Sequence, residues 1–377
     1  MNRRLTVGVA ALGAAVVMGC VGARCGKGIG ARSEALDASA WAGSVWLSAA
    51  DAPVATNATV DGALAAPGTS WFVYELDNEK PLKSVRWMTA GLGVYEAYVN
   101  GKRVGDDFLK PGFTHNAKTK YAFTYDVTDA VAQGANERNV FAAEVSAGWW
   151  RDKIVTPAGN PGFYGKKSAF RGALRLEFAD GTSETYGTNA KDWKAAIAGP
   201  VTHAAIFDGE VYDARLRPAF ENPAALGTPE VNDEFKGEIL PTRGAEVGLR
   251  RDLAMKPVRA YVWKDVTGAG ADAFGKVRIV REFADGEALT VNPGETLVAD
   301  FGQNAAAVPA FRFSAAKGTE LLALPAEMLN DNNGDKKRGN DGPEGSVYRV
   351  NLRKGYDTGR IVKYTFSGEG LETYAPR

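Results

Sequence analysis

The sequence predicts an all-β protein made of two consecutive antiparallel β-sandwich domains of the jelly-roll kind. Short segments rich in Val, Tyr, Phe and Trp follow one another from Trp41 onward, among them "SWFVYELD" and "GALRLEF", and such segments are typical of strands. The 44 glycines indicate many turns between them. No apolar pattern with the period of a long helix follows residue 20, which favours stacked sheets over a helical architecture.

Residues 1–20, "MNRRLTVGVAALGAAVVMGC", are predicted to be a lipoprotein signal peptide, and residues 21–37 a flexible tether. Arg3 and Arg4 supply the positive charge that precedes the apolar core of a signal peptide. The apolar run Leu5–Met18 is shorter than the roughly 20 residues of a membrane-spanning helix.

Cys20 ends this run directly after Gly19, in an arrangement that resembles the lipobox of bacterial lipoproteins. Its thiol is therefore expected to carry a lipid anchor that holds the exported protein at the outer or cell-surface membrane. Ordinary signal-peptide cleavage nearby, with a periplasmic product, is the alternative. Cys25 is the only other cysteine, so an acylated Cys20 leaves no pair for an internal disulfide.

The first predicted domain spans residues 38–222 and contains two hairpin signals. In "VYEAYVNGKRVG" the pair Asn100–Gly101 suits the positive φ angles of a type I′ turn. In "LRLEFADGTSETY" an Asp-Gly turn follows a strand in which Leu174, Leu176 and Phe178 alternate with charged residues. This alternation predicts a sheet with one buried face and one solvated face.

A second domain is predicted for residues 236–377, beyond the Pro- and Gly-interrupted segment "RLRPAFENPAALGTPEVNDEF". Strands resume with "RAYVWKDV" and "KVRIVREF" and continue to the C-terminus. The last stretch predicts a hairpin, with Tyr364–Phe366 and Leu371–Tyr374 as its strands and Ser367–Gly370 as its turn.

Composition and charge argue against several classes of function. Lys+Arg and Asp+Glu both total 45, whereas a nucleic-acid-binding protein carries a basic excess. His115 and His203 are the only histidines. Few side chains are therefore available to ligate zinc or to act as the base of a His-based nucleophilic mechanism. The motif "DFGQN" (Asp300–Asn304) has no kinase context, because the sequence lacks an H-R-D loop and a Gly-rich ATP loop.

Candidate ligand-binding residues follow the predicted strand "NVFAAEV". Trp149 and Trp150 stand at its end, and the loop "TPAGNPGFYGKKS" carries Asn160 further along. An exposed tryptophan face can stack on the C–H surface of a sugar ring, and loops at one end of a sandwich commonly carry binding functions. The alternative is that both tryptophans pack in the core or against loops.

Asp106 and Asp107 form a second candidate group, in "NGKRVGDDFLKPGFTHNAK". Paired acids bind calcium or sugar hydroxyls, so both are assigned to the same predicted binding site. The alternative is that they are solvated turn residues. A glycosidase needs two carboxylates that face each other across the scissile bond. No such pair stands out in the sequence, so no catalytic residue is assigned.

Several ordered motifs resemble bacterial α-L-rhamnosidases (glycoside hydrolase family 78). "GVYEAYVNGKRVGDDFLKPGFTHN", "YAFTYDV" and "NVFAAEVSAGWWRD" are similar to the N-terminal domain of that family, with Phe113 in the place of its usual Trp. "ETLVADFGQN", "KGTELLALPAEML" and "YTFSGEGLETYAPR" resemble its next β-sandwich, with Pro325 in the place of a usual His.

The resemblance implies the non-catalytic N-terminal part of an exported, inverting α-L-rhamnosidase that removes terminal α-L-rhamnose from glycans. In that family a closing strand and an (α/α)6 catalytic domain follow the stretch that ends here at Pro376–Arg377. The second sandwich is therefore expected to be incomplete at its C-terminus, with the catalytic residues beyond it.

The expected role is to support the catalytic domain and to bind rhamnose-containing glycans. Some relatives bind rhamnose through calcium, so a calcium site is an open expectation, and no other cofactor and no nucleic-acid partner is expected. Two alternatives are a free-standing, lectin-like surface protein and a structural adhesin without a sugar site.

Overall fold

The computed structural model of the protein describes residues 4–10, 28–51, 68–152, 162–243, 247–283, 290–350 and 361–377. Within these ranges the regular secondary structure is almost entirely β-strand apart from short 3-10 helices, and the single α-helix is the one-turn segment Gly148–Arg151. The prediction of an all-β protein is therefore confirmed.

The chain divides into two compact units. The first β-unit consists of Gly26–Ile206 and Leu216–Leu249. The second β-unit consists of Met1–Cys25, Phe207–Arg215 and Arg250–Arg377.

The first β-unit is built from short strands joined by turns. Its strands are β2 (Ala31–Arg32), β3 (Leu47–Ser48), β4 (Ser70–Asn78), β5 (Leu82–Leu92), β6 (Tyr95–Val99), β7 (Lys102–Arg103), β8 (Thr119–Asp126), β9 (Glu137–Val145), β10 (Ala169–Phe178), β11 (Ser183–Gly187), β12 (Lys194–Ile197), β13 (Val201–Ala205), β15 (Glu230–Val231) and β16 (Glu238–Pro241). Short 3-10 helices are Ala38–Trp41, Thr128–Ala130, Ala219–Glu221 and Pro223–Ala225, and α1 is Gly148–Arg151.

Two sheets of the first β-unit share one core. One sheet has the order β15-β3-β10-β5-β8-β16, with β11 on β10 and β2 on β8, and the other has the order β12-β4-β9-β6-β7. Rings from the two sheets meet, since Trp87 lies edge-on to Phe141 at 5.4 Å and Phe72 stacks on Phe170 at 6.0 Å. Such aromatic pairs add to the stabilisation from buried area. The first β-unit is therefore a β-sandwich.

Local sequence signals of the first β-unit are confirmed. Asn100 and Gly101 have φ angles of 48° and 76° and connect Val99 of β6 directly to its partner Lys102 of β7. Leu174, Leu176 and Phe178 of β10 are buried, whereas the residues between them are partly exposed.

The second β-unit contains the remaining strands. They are β1 (Arg4–Ala10), β14 (Gly209–Asp213), β17 (Arg259–Thr267), β18 (Lys276–Phe283), β19 (Thr296–Asp300), β20 (Phe311–Phe313), β21 (Glu320–Ala326), β22 (Met328–Leu329), β23 (Val347–Tyr348), β24 (Ile361–Thr365) and β25 (Glu372–Tyr374). Short 3-10 helices are Arg251–Leu253, Asn332–Gly334 and Lys336–Arg338.

The main sheet of the second β-unit runs in the order β14-β24-β21-β1-β19-β17-β18. Two small sheets pair β20 with β25 and β22 with β23. The largest buried cluster of this unit includes Ala299, Leu321, Tyr364, Phe366 and Tyr374. Core residues therefore come from the main sheet and from the last strand of the chain.

The hairpin predicted for the C-terminal stretch is wrong. β24 pairs with β21 and β14, whereas β25 pairs with β20 in a separate sheet. The Glu372 carboxylate accepts hydrogen bonds from the amides of Ser367 and Gly368 at 3.1 Å each and from the Tyr364 hydroxyl at 2.8 Å. These bonds fix the turn as a crossing between two sheets.

Some strand pairs are parallel, although both sandwiches were predicted to be antiparallel. β1 runs parallel to β19 and β21, β14 to β24, and β16 to β8. Each of these pairs joins segments that are far apart in sequence, so no turn motif predicts the pairing. Arg4–Ala10 lies within the predicted signal peptide, and Cys20 lies outside the described residues.

Candidate functional site

Trp150 and Trp149 take different positions after β9. Trp150 is buried, its indole Nε1 donates to the Lys167 carbonyl at 3.1 Å, and its ring packs on Tyr164 and Phe235 at 6.5 and 6.1 Å. Trp149, the preceding residue of α1, is only half-buried. Trp150 is therefore part of the core, and Trp149 is the tryptophan that presents ring surface to solvent.

One exposed ring contacts Trp149, and further rings contact one another on the neighbouring loops. Phe113 is 61% exposed and meets the Trp149 ring edge-on, with centroids 5.8 Å apart and ring planes at 75°. Phe163 is 69% exposed and meets Tyr164 edge-on at 4.9 Å, and the ring of His115 lies 6.5 Å from that of Tyr164. We refer to Phe113, His115, Trp149, Phe163 and Tyr164 as the aromatic surface.

Glu234 holds the loop that carries Phe163 and Tyr164 through hydrogen bonds to the main chain of that loop. Both carboxylate oxygens of Glu234 accept from the Lys166 amide, at 3.1 and 3.0 Å, and one also accepts from the Lys167 amide at 3.3 Å. Gly165 lies so close to Trp150 that an added Cβ atom would come within 2.1 Å of the indole ring. A side chain at this position would therefore push the loop off its support.

A buried lysine lies beneath the aromatic surface. Lys120 is 1% exposed, its Nζ donates to Asn116 Oδ1, and it lies 4.8 Å from the centre of the Trp150 ring. Burial lowers the pKa of the Lys120 ammonium from 10.5 to about 7, because removal from water disfavours the charged form. The neutral form of Lys120 is therefore much more populated near pH 7 than it is in an exposed lysine.

The acidic pair holds the loop that leads to Phe113. Asp107 is buried, accepts from the Tyr125 hydroxyl at 2.6 Å and forms an ion pair with Arg32. Asp106 accepts from the Gly28 amide at 2.8 Å and from Arg103 Nη2 at 3.0 Å. Asp107 thus differs from a solvated turn residue, and in this structure both carboxylates anchor the loop.

Asn160 and Cys20 lie outside the described residues. Across the described ranges, no group of three or more His, Cys, Asp or Glu side chains could hold a metal ion. None of the helices in those ranges has the length and apolar character that crossing a membrane requires.

Sequence reasoning did not assign Phe163 as a binding residue, and it missed Glu234 as part of this region. Phe163 belongs to the loop singled out for Asn160, but nothing in the sequence distinguishes an exposed ring from a packed one. Glu234 is 68 residues away from Lys166, in a segment assigned only as a domain boundary. Its carboxylate is recognisable as a loop anchor only once the chain is folded.

Two known domains match the chain in succession. Residues 80–231 match the alpha-L-rhamnosidase N-terminal domain. Residues 270–377 match the bacterial alpha-L-rhamnosidase concanavalin-like domain. The resemblance seen in the motifs is therefore confirmed.

Longer proteins that are similar to this chain are named alpha-L-rhamnosidases. An alpha-L-rhamnosidase from Streptomyces avermitilis is 35% identical over 303 residues, which are 79% of this chain and 24% of that protein. One from Alteromonas sp. is 25% identical over 299 residues, which are 79% of this chain and 27% of that protein. The chain thus spans about a quarter of the length of these curated relatives.

Solved structures show the same arrangement of strands. The native alpha-L-rhamnosidase of Aspergillus terreus superposes with a TM-score of 0.67 at 24% identity, over 90% of this chain and 33% of that one. The Streptomyces avermitilis enzyme complexed with L-rhamnose gives a TM-score of 0.58 at 28% identity, over 82% of this chain and 26% of that one. Through its two matching β-domains, the chain belongs to the α-L-rhamnosidase family.

Proposed function

We propose that this chain is the non-catalytic β-domain part of an α-L-rhamnosidase and that its aromatic surface holds a terminal L-rhamnosyl residue of the substrate glycan. The observation that supports sugar binding is the contact of the exposed Phe113 with the half-buried Trp149, in the unit that matches the rhamnosidase N-terminal domain. The Streptomyces avermitilis relative was crystallised with L-rhamnose, which makes this sugar the first ligand to test.

The rings of the aromatic surface suit the apolar parts of a deoxyhexose. L-Rhamnose has an apolar C–H face and a C6 methyl group, and the rings of Trp149 and Phe113 meet at 75° to form a corner. A sugar ring stacked on Trp149 can place its methyl group against Phe113. The exposed His115 on the same loop as Phe113 can exchange hydrogen bonds with sugar hydroxyls.

The expected affinity is weak, as for most single sugar sites. A Kd of about 0.1–1 mM corresponds to about −4 to −5.5 kcal/mol. Loss of one aromatic ring from the corner removes a large share of this free energy, since an aromatic contact contributes about 0.5–1.5 kcal/mol beyond its buried area.

Titration of L-rhamnose into the chain, followed by NMR, tests the proposal. We expect Trp149→Ala and Phe113→Ala to weaken binding at least tenfold. Trp263→Ala is the matched control, because Trp263 is also half-buried but lies in the second β-unit. L-Mannose, which differs from L-rhamnose by a hydroxyl at C6, should bind more weakly to the wild type.

Two outcomes would contradict the proposed site. Equal affinity of wild type, Trp149→Ala and Phe113→Ala, with the fold intact by circular dichroism, would place the sugar elsewhere. No binding by the wild type up to 50-fold above the expected Kd range, roughly 50 mM, would leave the aromatic surface without a role in rhamnose recognition.

A free-standing lectin is the second candidate, since the same aromatic surface would serve it. The two candidates differ in the size of the native product. An antiserum raised against this chain should detect a protein several times longer than 377 residues in the source cells if the chain belongs to a rhamnosidase. A product of the size of this chain would favour the lectin.

Export as a lipoprotein is also part of the proposal. Its support is the charged start, the apolar run and Gly19–Cys20 at the end of that run. Acylation of Cys20 would hold the two β-domains at a membrane surface, where glycan chains are captured from solution.

A further inference from the structure

A buried arginine follows the two tryptophans of α1. Arg151 is the last residue of this helix and is only 7% exposed. Its Nε atom is buried without a hydrogen-bond partner. Across the ranges that the structure describes, the guanidinium group forms neither a hydrogen bond nor an ion pair. A buried charge without a direct partner is unfavourable, so an anion bound beside Arg151 would stabilise this part of the fold.

Arg151 lies between two segments of the aromatic surface. Trp149 precedes it by two residues in α1. The Arg151 carbonyl accepts a hydrogen bond from the amide of Gly162 at 2.6 Å, and Phe163 is the next residue of that loop. The backbone of Arg151 therefore connects the segment of Trp149 to the loop that carries Phe163.

The acidic groups nearest in their effect on Arg151 are engaged elsewhere. Burial lowers the pKa of the Arg151 guanidinium, and the charges of Asp152 and Glu234 raise it. Asp152 accepts from the Ile206 amide at 3.0 Å, and Glu234 accepts from the Lys166 amide at 3.0 Å. Among the described residues, neither carboxylate comes within ion-pair distance of Arg151. The guanidinium donors are therefore available to a ligand.

A second cation lies on the same loop. Lys166 is exposed and follows Tyr164 by two residues. In the described part of the chain its ammonium group forms no ion pair, whereas the neighbouring Lys167 pairs with Glu230 at 2.6 Å. An exposed charge contributes little to affinity, but it adds to the attraction of an anionic ligand towards this loop.

We propose that the ligand of the aromatic surface is an acidic glycan, in which the carboxylate of the sugar next to the rhamnosyl residue binds the Arg151 guanidinium. This inference rests on the proposed sugar site and names the class of glycan that the site takes. The planar guanidinium group donates two parallel N–H bonds to the two oxygens of a carboxylate. Trp149 and Phe163 supply the ring contacts for the sugars on either side.

NMR titration with two matched disaccharides tests the proposal. One consists of L-rhamnose α-linked to D-glucuronic acid, and the other is its carboxyl-reduced form, in which glucose replaces glucuronic acid. The wild type should bind the acidic disaccharide at least about tenfold more tightly, as expected for a hydrogen bond between charged groups. Sodium acetate, which offers a carboxylate without a sugar ring, should not displace it at equal concentration. Displacement by acetate would show a general anion site and overturn the proposal.

Three variants assign the preference to the guanidinium. Arg151→Gln should abolish the preference for the acidic disaccharide, and Arg151→Lys, which keeps the charge without the planar donors, should reduce it. Arg171→Gln is the matched control and should retain the preference. Arg171 is a partly buried arginine of the same unit, and its guanidinium already donates to Ser44 Oγ at 2.8 Å and to the Trp41 carbonyl at 3.1 Å. The ratio of the two affinities is taken within each protein, so a change in stability does not imitate the result.

The outcomes distinguish this inference from the proposed rhamnose site. Equal affinity of the wild type for both disaccharides, or a preference that Arg151→Gln retains, would overturn the acidic-glycan inference and leave the rhamnose site in place. Binding of the acidic disaccharide through Arg151, without binding of L-rhamnose or of the neutral disaccharide, would support the inference and contradict recognition of rhamnose by the rings alone. The absence of binding to all three sugars would overturn both.

Discussion

The buried Lys120 beneath the aromatic surface should make the first β-unit more stable as pH rises above neutrality. Between pH 7 and about 10.5 the unfolded chain holds the Lys120 proton and the folded chain releases it, so the free energy of unfolding rises with pH. Below pH 7 both states are protonated, and the cost of the buried charge is fully present. The substitution Lys120→Met removes this charge and keeps a long apolar side chain.

The pKa difference sets the size of the effect. A fall from 10.5 to about 7 corresponds to a cost of about 5 kcal/mol at low pH, at about 1.4 kcal/mol per pKa unit. Lys120→Met leaves Asn116 Oδ1 without its partner, which costs about 1–3 kcal/mol. The variant should therefore be more stable than wild type by about 2–4 kcal/mol at pH 6 and less stable by about 1–3 kcal/mol above pH 10.

Urea unfolding between pH 6 and about pH 10.5, followed by tryptophan fluorescence, measures this difference. All tryptophans except Trp263 lie in the first β-unit, so the signal reports mainly on the unit that contains Lys120. Lys118→Met is the control, because Lys118 is exposed and two residues away. Equal pH dependence of wild type and Lys120→Met would refute the reasoning.

Three further outcomes are expected. The chain alone should leave p-nitrophenyl α-L-rhamnoside unhydrolysed in an absorbance assay, and turnover that disappears when a carboxylate within residues 38–377 is replaced would contradict this. The affinity for rhamnose should be unchanged by EDTA, because Asp106 and Asp107 already form ion pairs with arginine side chains. Binding that is lost in EDTA and regained with Ca²⁺ would show a metal-dependent site. Cys20→Ser should abolish lipid attachment in a bacterial host, as followed by metabolic labelling with a fatty acid, and unchanged labelling would exclude Cys20 as the acylated residue.

The features of the fold that were predictable from the sequence depend on residues that are adjacent in sequence. The type I′ turn at Asn100–Gly101 and the alternation of Leu174 and Leu176 are signals of a few residues, and the structure confirms both. The position of β1 and the separation of β24 from β25 depend on partners far away in sequence. No local pattern encodes such partners, so both were missed.

The candidate site was predictable only in part, for a related reason. The pair Trp149–Trp150 was recognisable as a binding candidate, but the backbone turn of α1 decides which ring is buried. Likewise, Asp107 looks like a turn residue in sequence, and only folding brings Arg32 and Tyr125 to its carboxylate. Residue type indicated the chemistry, and tertiary contacts decided how each residue is used.

Saturation-transfer NMR of L-rhamnose with the full chain tests the proposed sugar site most directly. If the sugar stacks in the corner of Trp149 and Phe113, irradiation of aromatic protein protons should transfer most strongly to the C6 methyl and to one C–H face of the sugar. Trp149→Ala should abolish this transfer, and Trp263→Ala should leave it unchanged. Equal transfer to all sugar protons, or an unchanged pattern with Trp149→Ala, would contradict sugar binding at the aromatic surface.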